Sequence, residues 1–251
     1  MIAVETHPAE PLLQRYRVFV LPVAVLAGLG LAYLVFLQLS PAFGDDQVLN
    51  TKFLSTRLFQ HLYLAGIAFG LAAAIALPVG VLISGAGNIV RVPVFLLANL
   101  GQAIPGFGIL VLLYAYFGLG TAPAIIALTV YGILPALRNT VAGIQGVDPA
   151  VIEAARGMGM TRSQALLRVQ LPLASPLIFA GLRTTLVLVI STATLGNFIG
   201  AGGLGDVIAT GINTSDRIVF VGAVMVAALA LLADWALSVV ETAVVPKRTV
   251  S

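Results

Sequence analysis

Few residues in this 251-residue chain are equipped for covalent chemistry, and their spacing removes most of what they could do. Cysteine is absent, so there is no thiol nucleophile, no disulfide framework and no thiolate metal site. The two histidines are His7, in a polar N-terminal stretch, and His61, beside Tyr63 at the edge of an apolar run, where an interfacial ring is expected. Neither gives a plausible partner for a serine inside the apolar runs. Asp234 lacks the second carboxylate that an aspartyl dyad requires. Gly200, Gly202 and Gly205 in GAGGLG fit the dinucleotide fingerprint by letter, but no strand pattern precedes them and no acidic residue follows at the required distance. These glycines predict a loop with positive backbone dihedrals and close chain approach, tightly folded or re-entrant. An intramembrane enzyme lacks parts, and no cofactor or metal site is expected.

What remains is polar chemistry within apolar segments. Asn99 and Gln102 in one run, with Thr192, Thr194 and Asn197 in another, either line a pathway or bond between helices; both readings stay open. Pro105, followed by Gly106 and Gly108, removes a backbone hydrogen bond within a run and predicts a bend. Arg183 and Asp234 are charges that cannot be moved to a membrane edge. Each lies about 11 residues from the end of its run, or ~16 Å deep at ~1.5 Å per residue. They are read as an ion pair, against the alternative that Arg183 snorkels outward and Asp234 faces a wet cavity. The single tryptophan, Trp235, does not make an aromatic cage. Gly66, Gly70 and Ala74, and likewise Ala180, Gly181 and Thr184, predict tight helix packing.

The elements that must position these groups follow from composition. Hydrophobic residues make up 59% of the chain and charged residues 9%, with a mean hydropathy of +1.06, which identifies an all-α integral membrane protein. Six transmembrane helices are expected, over residues 18–39, 58–84, 92–118, 121–144, 172–198 and 218–245. The first run is too long for a signal-peptide core. The second begins after an external loop, 40–57, that holds a short amphipathic piece. Residues 1–17 and 246–251 are tails, 18–57 a first helix with its loop, and 58–245 the core. The net charge of +3 reflects basic loops and not a nucleic-acid partner. With the N-terminal tail inside, Arg15, Arg17, Arg91, Arg138, Arg156, Arg162, Arg168, Lys247 and Arg248 fall on one side, and Lys52, Arg57 and Arg217 on the other. Both termini are thus expected to be cytoplasmic.

One polar island interrupts this pattern, residues 153–172, EAARGMGMTRSQALLRVQLP. Asp148 followed by Pro149 is a helix start, predicting a short helix to about Arg156. Gly157 and Gly159 allow a turn, and Thr161 with Gln164 has capping-box spacing for a second short helix toward Val169. That helix is expected to end or bend at Pro172. Two short helices over 149–170 thus present Arg156, Arg162 and Arg168 to water.

Glu153, Ala154 and Ala155, then Gly159, then Val169, Gln170, Leu171 and Pro172 resemble the EAA signature of bacterial ABC importer membrane subunits, with valine where isoleucine is commoner. From Asn99 to Ile212 the sequence is similar to the permeases for glycine betaine, choline and related osmoprotectants, in PAIIALTVYGILPALRNTVAGIQGVDP, EAARGMGMT and GNFIGAGGLGDVIATGI. The resemblance implies a type I ABC importer (MetI-like) fold in the bacterial inner membrane. It also implies that Glu153, Ala154, Ala155, Gly159, Leu171 and Pro172 couple to separate ABC ATPase subunits. Other implied partners are an extracytoplasmic substrate-binding protein, which holds a quaternary ammonium in an aromatic box, and a second permease subunit, identical or different. Asn99, Gln102, Pro105, Thr194 and Asn197 become candidates for pathway or gating. An importer permease for an amino acid such as methionine is the alternative, and a passive channel lacks a ring of charge.

Overall fold

The computed structural model describes residues 10–39 and 45–245. The N-terminal tail to Ala9, loop residues 40–44, and the C-terminal tail with Lys247 and Arg248 lie outside the described residues, as do the side chains of Arg15 and Arg17. Every described element is helical: α1 (Glu10–Gln38), α2 (Asp45–Val48), α3 (Thr51–Ser84), α4 (Asn88–Ala103), α5 (Gly106–Phe117), α6 (Thr121–Gln145), α7 (Pro149–Gly157), α8 (Arg162–Ala165), α9 (Leu171–Ala193), α10 (Leu204–Ile212) and α11 (Asp216–Val244). A π turn (Leu166–Gln170) joins α8 to α9, and a 3-10 turn (Thr194–Ile199) follows α9.

Long apolar runs must satisfy their own backbone groups when water is absent, and helices do so within one segment. Among the described residues four helical stretches are long and apolar enough to cross a membrane: Thr51–Ser84, Thr121–Gln145, Arg162–Ile199 and Asp216–Val244. The pair α4 and α5 makes a fifth if counted as one broken span. Its two halves meet at 92°, far more than a proline kink. Proline's ring drives the preceding residue out of helical geometry. Ile104 is accordingly extended (φ −74°, ψ 128°), and α5 restarts behind Pro105.

The centre is α3, α6 and α9 packed together, with α11 against α9, α1 along α11, and α10 between α3 and α11. Small side chains let these backbones approach. Ala65, Ala68, Ala72, Ala76 and Gly80 are the buried stripe of α3. Gly181 of α9 abuts Asn139 of α6, where a Cβ would come within 2.5 Å of the Asn139 Cβ. Thr185 donates to the Gly132 carbonyl at 3.0 Å across the same seam.

Several expectations change. Gly66, Gly70 and Ala74 are exposed, and so are Ala180 and Thr184, so tight packing within the chain holds for Gly181 alone of the six. The packing face of α3 is one position round, because that is the face α6 and α9 meet. The helix α3 starts at Thr51, capped by the Asn50 side chain accepting from the Phe53 N–H at 2.8 Å, and absorbs part of the expected loop. The second island helix does not end at Pro172. The Leu171 N–H reaches back five residues to the Leu166 carbonyl, and the wider π turn accommodates the missing proline N–H while the helix runs on. The glycine-rich segment contains α10.

Candidate functional site

At one end of the bundle the island is built by local capping. Asp148 accepts from the Ala150 N–H at 2.8 Å, with Pro149 in the first turn of α7. Gly159 turns the chain at φ +85°. Thr161 and Gln164 form a reciprocal capping box, at 3.3 Å and 2.9 Å. Ala155 and Ala165 are buried where α7 and α8 pack together, while Glu153, Ala154 and Gly159 are exposed. Leu171 and Pro172 are half-buried at the root of α9. Among the described residues Glu153 has no ion-pair partner, and Met158, five residues on in the turn after α7, is 73% exposed. The island thus presents both a charge and an apolar side chain on its exposed side. Sequence reasoning missed Met158, whose signal was its place between the two turn glycines.

The polar groups of the broken span are largely engaged between helices. Gln102 donates to the Tyr131 carbonyl of α6 at 3.0 Å, and Asn99 donates to the Phe95 carbonyl while accepting from Arg138 of α6. Thr194 donates to the Ser191 carbonyl at 2.7 Å, within its own helix end. The Asn197 carbonyl accepts from the Gly200 N–H at 3.0 Å. The break itself lies against the end of α9. A Cβ on Gly106 would stand 3.3 Å from Thr192, and Phe107 meets Phe198 edge to face with centroids 5.0 Å apart. Pro105 and the Thr194–Asn197 segment are thus neighbours, with Asn99 and Gln102 farther along α4.

On the seam of α9 and α11, Arg183 donates through Nε to Asp234 Oδ1 at 2.8 Å and through Nη2 to Oδ2 at 2.6 Å. This bidentate fork fixes both side chains. Glu241, two turns further along α11, stands 3.8 Å from Arg183 Nη1. Its nearness to the chain end hid it from sequence reasoning.

The opposite end holds the largest departure from expectation. His61 is fully buried and not interfacial. Its Nδ1 accepts from the Leu204 N–H at 3.3 Å, so Nε2 carries the proton to the Ile190 carbonyl at 3.0 Å. Ile190 lies among the last four residues of α9 and Leu204 opens α10, so one neutral imidazole caps the end of one helix and the start of another. Beside it Gln60 accepts from the Gly203 N–H at 3.2 Å and from Arg57 at 2.9 Å, and Arg57 pairs with Asp206 at 2.6 Å. Burial pushes the Asp206 carboxyl up from its ordinary value, with Arg57 pulling against it. Gly200, Gly202 and Gly203 have φ of +69°, +79° and +93°, as a tightly folded loop requires. A Cβ on Gly205 would overlap the Thr194 carbonyl. Among the described residues no cluster of His, Cys, Asp and Glu could hold a metal ion.

Residues 66–245 match the family described as "Binding-protein-dependent transport system inner membrane component". The chain is 40% identical over 199 residues to the carnitine transport permease protein OpuCB of Listeria monocytogenes, covering 79% of this chain and 91% of that protein. It is 41% identical over 193 residues to the glycine betaine/carnitine/choline transport system permease protein OpuCB of Bacillus subtilis (strain 168), covering 75% and 87%. Among solved structures, a chain of the MetNI methionine ABC transporter in an inward-facing conformation superimposes with a TM-score of 0.69 at 25% identity, over 77% of this chain and 96% of that one.

Proposed function

Because the chain belongs to the binding-protein-dependent transport system inner membrane component family, we propose that it is the permease subunit of an ATP-driven importer of osmoprotectants such as glycine betaine, choline or carnitine. The carrying observation is identity near 40% over three quarters of the chain to permeases named for those substrates. The methionine reading rests on a likeness of fold at lower identity.

In this reading the chain crosses the inner membrane six times, α1 and the α4–α5 pair included, with both termini and the island cytoplasmic. The island seats in a groove of a separate ATPase subunit through Glu153, Ala154 and Gly159, with Met158 filling an apolar pocket. Hydrolysis belongs to that partner, and an extracytoplasmic binding protein selects and delivers the substrate. A second permease copy or a related chain completes the pathway. ATP binding favours one of two packings of the bundle, and the island transmits the choice. Pro105 and Gly106 let the broken span change its angle against the end of α9. A quaternary ammonium has no N–H to donate and passes neutral polar groups without being trapped, which suits a pathway near Asn99, Gln102, Thr194 and Asn197.

The test is uptake of labelled betaine and labelled methionine into proteoliposomes holding permease, ATPase and binding protein. ATP-dependent betaine accumulation is expected. Accumulation of methionine alone would move the substrate class, and ATP-independent equilibration would refute an importer.

A further inference from the structure

We propose that Gln60 and His61 are positioning residues for transport: a clasp by which α3 holds the glycine-rich loop, and through it the outer end of α9, as the extracytoplasmic gate. The inference rests on the orientation proposed above. Its geometry is independent of substrate. Two consecutive α3 side chains take three backbone groups of two other segments: the Gly203 and Leu204 N–H groups where the loop enters α10, and the Ile190 carbonyl of α9. The loop is shaped to receive them. A Cβ on Gly203 would stand 3.1 Å from His61 Nδ1, and one on Gly202 would stand 2.6 Å from Gln60 Oε1. The same loop abuts the broken span, since the Gly120 N–H donates to the Ile199 carbonyl at 2.8 Å and Phe198 packs on Phe107. Opening the pathway on this side requires α9 and the loop to separate, and His61 bridges that boundary directly.

The position needs a side chain with one donor and one acceptor, which the neutral imidazole supplies. A doubly protonated imidazole turns an N–H toward the Leu204 N–H, and the contact to α10 becomes repulsive. The clasp is therefore held by the neutral ring and released by protonation. The charged groups around His61 are Arg57, one turn back on α3, and Asp206, on α10, which neutralise one another at 2.6 Å. The α9 residues from Leu186 to Ala193 carry no ionisable side chain.

The absence of cysteine gives this chain a clean background for thiol labelling, read on the permease band after the assembled transporter is labelled. Val207→Cys, at a fully buried position of α10, reports loop release to a membrane-impermeant maleimide added outside, and Asn213→Cys, exposed at the end of α10, reports sidedness. In the Val207→Cys protein, His61→Ala is expected to raise the labelling rate about tenfold, the shift that loss of one buried hydrogen-bond partner produces. His61→Gln, which keeps a donor and an acceptor, is expected to return it close to the parent rate. Because a buried imidazole takes up its proton only below the ordinary range, the pH is lowered from about 7.5 to about 4.5, which is expected to speed labelling of the parent, leave His61→Gln flat, and persist in Asp206→Asn. Equal labelling of parent and His61→Ala would overturn the clasp. So would a parent that ignores pH, or a pH response that survives His61→Gln. If His61→Ala does not accumulate, the pH comparison of parent with His61→Gln decides alone. Labelling of Asn213→Cys from the inside only would refute the orientation, and that outcome is read separately from Val207.

Discussion

Arg183 faces two carboxylates on α11, and that asymmetry predicts unequal consequences for the two halves of the ion pair. Arg183→Gln strands Asp234 and Glu241 on one face of one helix with no cation between them. Asp234→Asn leaves the guanidinium with Glu241 at 3.8 Å, within reach of a small side-chain movement. Deleting one member of a buried pair costs about 3 to 5 kcal/mol, and the exposures of 33% and 19% bring this pair to about 2 to 3 kcal/mol. A partly exposed fallback pair recovers about 1 kcal/mol. Arg183→Gln should therefore cost about 1 kcal/mol more than Asp234→Asn, a Tm difference of about 2 to 4 °C for a chain of this size. The assay is thermal unfolding of the permease in nanodiscs, with the double variant closing the cycle. Charge reversal extends it: Arg183→Asp or Asp234→Arg should cut membrane accumulation, and the double swap should restore much of it. Equal losses for the two neutral variants, or a coupling below about 0.5 kcal/mol, would refute the reasoning. Asp234 would then stand as a contact for a cationic substrate, read as a change in uptake KM without a change in Tm.

Other outcomes follow from the same geometry. Glu153→Lys should lower ATPase stimulation by loaded binding protein about tenfold or more, or abolish co-purification of the ATPase, with the permease still inserted; normal stimulation would remove Glu153 from the coupling surface. Replacing Pro105, Gly106 and Gly108 with alanine should slow uptake several-fold more than it lowers the amount of protein in the membrane, and unchanged uptake would reduce the break to a static feature. Gly205→Ala should destabilise by about 1 to 3 kcal/mol through its overlap with the Thr194 carbonyl. Gly66→Ala, in open space, should stay within about 0.5 kcal/mol, and both are measured by the same unfolding curves.

What was legible in the sequence was what is decided locally. Asp148, Pro149, Thr161 and Gln164 fix the island within a few residues of themselves, and α7 and the capping box are where those residues imply. Of the loop glycines singled out, Gly200 and Gly202 take the positive dihedrals expected, and Gly205 serves the close approach, to the Thr194 carbonyl. His61 illustrates the opposite case. Its partners are 129 and 143 positions away, and its immediate neighbours are those of a residue at a membrane edge. The small-residue stripe of α3 was visible, but two adjacent stripes read equally well, and only the approach of α6 and α9 selects Ala65, Ala68, Ala72 and Ala76 over Gly66, Gly70 and Ala74. Helix α10 stayed hidden because a nine-residue segment between glycines reads as loop.

The π turn at Leu166–Gln170 has a mechanical consequence. By keeping the helix continuous past Pro172, it joins residues 162–199 into one strut of 38 residues, ~57 Å long at ~1.5 Å per residue. A strut converts angle into travel: a tilt of about 5° at the island moves the far end by about 5 Å, roughly one helical turn. The α4–α5 pair beside it is the complementary machine part, an articulated joint set at 92°. A tilt at the island would thus be felt at Thr192 and Leu195, the residues the joint's Gly106 stands against.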